Sequence, residues 1–225
     1  MTTADDLLGE VRRLLRTTGT PYASAAEAHD IYEAYLLSLV VSVARDSQAT
    51  VSYATVDGTP TTNLVFRTSP GMIYSTALPY THAVIDFPGA PTLEAHVGVR
   101  VQGRSRVLHE CDVLVLSQEE ADRARGQQVA PRGGRSLLAI ECKFYTSNLK
   151  LGQARGFEGL HADLGTRHTL FVANLNAVRV ARYLNARRRI WEQTVRPGAQ
   201  QVTHVETLIR EAFKDHCARH GQLLP

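Results

Sequence analysis

Glu141 and Lys143 stand two residues apart at the end of the apolar run Leu137-Leu138-Ala139-Ile140. Asp112 lies about thirty residues upstream, within a second apolar run, Cys111-Asp112-Val113-Leu114-Val115-Leu116. On a strand, residues i and i+2 point to one face. Glu141 and Lys143 therefore emerge side by side, and Cys142 points the other way. If the two strands pair, their separation of about 4.8 Å brings Asp112 close to both. Two carboxylates and an ammonium on one patch make a site for a hard cation and an activated water.

Lysine usage singles out the ammonium. Lys143, Lys150 and Lys214 are the only lysines beside 22 arginines. Position 143 thus reads as one where arginine would not serve. An ammonium is a compact point charge that can approach a water and a phosphate oxygen, whereas a guanidinium is broad and stays protonated.

Charge is distributed unevenly. Residues 1–90 carry 5 Arg and 9 Asp/Glu, whereas residues 91–225 carry 20 Lys/Arg and 13 Asp/Glu. The half that holds the acid and lysine constellation is the basic half, as expected for a polyanionic substrate. The 225 residues suit one large domain, or a catalytic domain with a substantial extension. No stretch approaches the roughly 18 apolar residues that span a membrane, and the acidic N-terminus lacks the order of a signal peptide. Cys111, Cys142 and Cys217 fit no metal-ligand spacing and read as buried free thiols of a cytoplasmic protein.

Periodicity supplies the elements that must position these groups. Residues 4–18 and 25–44 read as amphipathic helices separated by Thr20 and Pro21. A meander of strands is expected at residues 50–56, 62–67, 72–75 and 80–87. Alternation at residues 93–101 and 106–116 gives two more strands, the second carrying Asp112. Residues 117–135, rich in charge and glycine, read as an exposed excursion before the strand 136–145. Then follow a helix (152–164), a buried strand (168–173), a helix (176–187), a strand (190–195) and a last helix (203–220). From residue 93 onward the order strand, strand, strand, helix, strand implies an antiparallel meander, then a helical crossover to a parallel strand. That is a mixed α/β sheet with helices on its faces.

With Asp112 on one strand and Glu141-Cys142-Lys143 on the next, this order resembles the PD-(D/E)xK nuclease superfamily. The helix opening Gln153-Ala154-Arg155-Gly156-Phe157 is similar to the Gln-x-x-x-Tyr element of some branches, with Phe157 replacing the aromatic hydroxyl. The resemblance covers residues 90–175. It implies a restriction-endonuclease-like core at 91–175, an N-terminal helical and β extension at 1–90, and a helix-strand-helix packed on the core at 176–225. It further implies one or two Mg²⁺ ions, with Mn²⁺ as a substitute, held by Asp112, Glu141 and the backbone carbonyl of Cys142. Lys143 would contact the attacking water or the scissile phosphate, and Gln153 would bond near the phosphate. A further acid is assigned to Glu94 at the start of its strand, with Glu33 on the early helix as the rival. Arg100, Arg104 and Arg106 on a hairpin, and Arg187, Arg188 and Arg189 at a helix end, are candidates for nucleic-acid contact. The expected activity is Mg²⁺-dependent cleavage of double-stranded DNA by a homodimeric restriction or antiviral-defence endonuclease, possible partner proteins included. The alternatives are an RNA-cleaving or structure-selective repair nuclease, or a non-catalytic nucleic-acid-binding subunit.

Overall fold

The computed structural model describes residues 3–17 and 27–224. Along the chain run α1 (Ala4–Leu15), α2 (Ala28–Asp46), β1 (Thr50–Thr55), β2 (Thr81–Asp86), β3 (Leu93–Gln102) and β4 (Leu108–Ser117). They are followed by α3 (Gln118–Gln127), β5 (Ser136–Lys143), α4 (Leu151–Leu164), β6 (His168–Ala173), α5 (Val178–Ala186), β7 (Trp191–Glu192) and α6 (Gln201–Arg219). The strands form one sheet in chain order, antiparallel from β1 to β5 and parallel from β5 through β6 to β7. The parallel step is where α4 crosses over, as the strand-helix-strand order requires. The protein is therefore α/β, with a seven-stranded mixed sheet flanked by helices. The segments 1–90, 91–175 and 176–225 all contribute strands to this sheet, and residues from all three meet in one hydrophobic core.

Two apolar layers enclose the sheet. On one face α1, α2 and α6 pack over Val113, Val115, Leu138, Ile140 and Val172. The other face packs Leu114, Leu116, Ala139 and Phe171 against Ala121 and Ala124 of α3, Phe157 and Leu160 of α4, and Leu184 of α5. Helix α2 is apolar nearly all round because it lies between the sheet and the other two helices, so Tyr32, Leu36, Leu37, Leu39 and Val40 are all buried. Its second turn carries Glu33.

The β3–β4 hairpin changes face part-way along. Ala95 and Val97 belong to the α2 side, but Val99 and Val101 belong to the α4 side; opposite them, Val113 lies on the α2 side and Cys111 on the α4 side. The register keeps its pairing throughout, so a bend rather than an inserted residue reverses the alternation. Gly98 sits at the bend with φ of +60°, a conformation glycine adopts without the Cβ clash. Asp112 stands directly across from it. Beyond the bend the hairpin closes onto the C-terminal end of α4, where the Arg104 amide donates to the Asp163 carbonyl (2.8 Å).

Two sequence expectations change. The strands expected at 62–67 and 72–75 do not form. That segment is an irregular loop, anchored by buried Leu64, Phe66 and Ile73 and by hydrogen bonds from the Gly71 amide to Gly98 and from the Arg100 amide to Gly71. Pro60 and Pro70, which lack amide donors, bracket it. Residues 117–135 are not simply an exposed excursion, since they contain α3. Only Ala121 and Ala124 give this helix an apolar stripe, too little for periodicity to register. It is fixed by the Ser117 cap and by Glu120, buried and bonded to Arg123 (2.6 Å) and Arg132 (2.5 Å). The break at Thr20 and Pro21, and the helix start at residue 25, lie outside the described residues.

Candidate active site

The β4–β5 ladder ends at Val113↔Ile140, one step short of the Asp112–Glu141 position. Beyond it the Cys142 amide donates to Asp112 Oδ2 (2.7 Å) instead of continuing the strand ladder. The N–H and C=O of an extended residue point to the same edge, so the Cys142 carbonyl is directed to the same side as its amide. Lys143 Nζ lies 2.7 Å from Glu141 Oε1 and 3.3 Å from Asp112 Oδ2. The three residues proposed from spacing therefore meet where two strands part. Cys111 and Cys142 are buried, on opposite faces of the sheet.

Two further carboxyls enlarge the group. Glu33 reaches it electrostatically from α2. Its pKa is pushed up to about 9, first by burial, then by the negative charges of Asp112, Glu110 and Asp30, with Lys143 opposing. Glu110, two residues before Asp112, is raised by burial and by Asp112, while Lys143, Arg100 and His29 oppose. Burial and then Asp112 push Glu141 up to about 7. Lys143 is held charged: burial disfavours its ammonium, but Asp112 and Glu141 outweigh that and raise its pKa. Four carboxyls near one lysine, all but the exposed Glu110 buried or half-buried, disfavour full ionisation of the group. Such a donor set of oxygens suits a hard divalent cation.

The remaining assignments separate. Glu94 does not join the patch. It pairs with Leu116, four residues along β4 from the Asp112 position and about 13 Å away at strand rise. Its buried carboxylate is gripped by Arg125 at 2.6 and 2.8 Å and lies 2.9 Å from His96. Glu33, the rival, is the acid whose carboxyl feels the charge of Asp112. Gln153, in the first turn of α4, donates to the Tyr145 hydroxyl (2.7 Å) just past the end of β5. Arg100 lies across from Glu110, next to the patch. Arg104 and Arg106 are at the hairpin tip near the end of α4, while Arg187 and Arg189 pair with Glu158 of that helix at 3.1 and 2.5 Å. Arg188 is exposed at the same turn.

Spacing placed Glu110 near the site but gave it only a structural or groove-lining role, and it could not find Arg125. Glu110 has the same parity as Asp112, a signal present in the sequence but overshadowed by the E-x-K element. Arg125 belongs to the helix that periodicity missed.

Fold and site together define an α/β protein with a mixed sheet and a carboxylate–lysine patch at a strand divergence. Comparison with family models, with curated proteins and with solved structures gives no match. Among the described residues, no helix is long and apolar enough to cross a membrane.

Proposed function

We propose that this protein is a Mg²⁺-dependent nuclease with a restriction-endonuclease-like core, hydrolysing phosphodiester bonds of DNA. The observation that carries this reading is the meeting of Asp112, Glu141, Lys143 and Glu33 where β4 and β5 part. The antiparallel β3–β4–β5 meander and the α4 crossover to parallel β6 are the order expected of that core.

Asp112 and Glu141 would hold the cation, with the Cys142 carbonyl directed to the same edge and the Glu33 carboxyl feeling the charge of Asp112. A bound Mg²⁺ supplies Lewis-acid activation of water and neutralises charge on the phosphoryl oxygens. The protein's own residues do the rest. Lys143 keeps its proton, so it serves as a fixed positive charge against the developing phosphorane rather than as a base. Asp112 fixes the Cys142 amide and so sets the spacing between the two strands. Glu33 and Glu141 are the carboxyls able to carry protons near neutral pH when no cation neutralises the patch. Arg100 stands at the rim, where a phosphate backbone would pass. Cleavage of both strands would call for a two-fold dimer, and the resemblance in sequence suggests a role in restriction or defence.

The test is cleavage of plasmid DNA, single-stranded DNA and RNA with Mg²⁺, with EDTA, and by Lys143→Ala. Loss of one such electrostatic group is expected to slow cleavage by about 10²–10³-fold. Equal behaviour of wild type and Lys143→Ala on every substrate would refute the enzymatic reading. Cleavage of RNA alone would reassign the substrate.

A further inference from the structure

The geometry points to a second metal site, separate from the acidic patch, in which His82, Glu94 and His96 bind a borderline divalent ion of the Zn²⁺ class. His96 and Glu94 are two apart on β3 and share a face, and the β2–β3 register sets His82 directly opposite His96. The three side chains are 3%, 0% and 9% exposed. Their ligand atoms converge: Glu94 Oε2 lies 2.9 Å from His96 Nε2 and 3.5 Å from His82 Nε2, and all three lie within 4.8 Å of one another. Zinc bonds of about 2.0–2.2 Å in a tetrahedron place neighbouring ligand atoms about 3.3–3.6 Å apart. The 3.5 Å separation already matches that edge and the 2.9 Å one is slightly short of it, so small side-chain rotations would complete three corners.

His82 adds an independent observation. Its ring is almost fully buried, stacked on His96 with centroids 4.6 Å apart, and its Nε2 lies 3.5 Å from Glu94 Oε2.

The groups that orient the carboxylate are already in place around this cluster. Arg125 holds both oxygens of Glu94 and is itself bonded to Asp122 (2.7 Å), which offsets its charge and fixes the carboxylate rotamer. A groove between β1, β2 and α3 reaches His82, Glu94 and Arg125 from the surface, leaving a fourth corner open to solvent. Two nitrogens and one oxygen suit a borderline ion and are poor for Mg²⁺, which prefers oxygen alone. The two centres would thus load with different metals. Such an ion would join β2, β3 and, through Arg125, α3.

The test uses full-length protein stripped with EDTA, held in excess Mg²⁺ to occupy the acidic patch, and titrated with Co²⁺ as a visible reporter for Zn²⁺. One Co²⁺ per chain with the absorption of a tetrahedral centre is expected, displaced by Zn²⁺. Binding should persist in Glu141→Gln and vanish in His82→Gln and His96→Gln. If those variants do not fold, proton NMR of the Co²⁺-loaded wild type should show hyperfine-shifted resonances from two imidazoles. No Co²⁺ uptake by wild type, uptake unchanged in folded His82→Gln, or a spectrum without shifted imidazoles would overturn the assignment.

Discussion

Replacing Glu141 with glutamine should make the cation-free protein more stable at pH 8 while abolishing its response to Mg²⁺. The sign follows from proton linkage. The Glu141 carboxyl has a pKa of about 7 in the folded chain against 4.5 when free. Between those values the folded state binds more protons than the unfolded one, so stability falls as pH rises through that window. Above pH 7 the folded protein bears the full penalty of an ionised Glu141 beside Asp112. A difference of about 2.5 in pKa, at about 1.4 kcal/mol each, gives a penalty on the order of 3 kcal/mol. Glutamine removes it but gives up the charged contact to Lys143, so a net gain of about 2 kcal/mol is expected once the partial exposure of the pair is allowed for. For a chain of this size that raises Tm by about 4–8 °C. Mg²⁺ at ten times its Kd should stabilise wild type by about 1.4 kcal/mol, and the variant not at all. Thermal melts at pH 5 and pH 8, with and without Mg²⁺, read all of this, and the gain should shrink at pH 5. If apo Glu141→Gln melts at or below wild type at pH 8, the crowded-carboxylate account of the patch is wrong.

Glu33→Gln should leave the melting of the cation-free protein within about 1 kcal/mol at pH 7, because the carboxyl is already protonated there, yet lower Mg²⁺-dependent cleavage by about 10- to 100-fold. Unchanged cleavage would remove Glu33 from the site. Gly98→Ala should cost about 1–2 kcal/mol, through positive φ and a Cβ placed 3.3 Å from Arg67 Cβ. Since the bend it supports faces Asp112, Mg²⁺ stabilisation should weaken with it, read by urea denaturation with and without Mg²⁺. Arg125→Ala strands the buried Glu94 carboxylate and should destabilise by about 3–5 kcal/mol in urea; a change below 1 kcal/mol would mean that the pair is not what holds α3. Burial lowers the His82 pKa from 6.5 to about 3, so the unfolded chain takes up that proton first and stability should fall as pH drops from about 6.5 towards 3. A stability–pH slope in that range that is the same in His82→Gln would contradict this.

Much of the architecture was legible because it rests on local signals. Alternation located β3, apolar runs located β4, β5 and β6, and helical spacing located α1, α2, α4 and α6. The loop at 62–67 misled because its apolar residues Leu64 and Phe66 are buried by contact with the rest of the fold, not by strand pairing. Helix α3 escaped notice because ion pairs and a cap, rather than an apolar stripe, secure it.

The sequence alone determined that Glu141 and Lys143 share a face, since the two-residue repeat of a strand is a local property of the backbone. It also placed Asp112 on the preceding strand, while the pairing of the two strands came with the tertiary structure. Only the tertiary structure decided which other acids join them. Glu94 and Glu33 were equally available in the sequence. The β3–β4 register carries Glu94 about 13 Å away, into the grip of Arg125 and His96. The packing of α2 against the sheet brings Glu33 to Asp112. Long-range register and helix docking depend on contacts between residues distant in sequence, which spacing within one element does not encode.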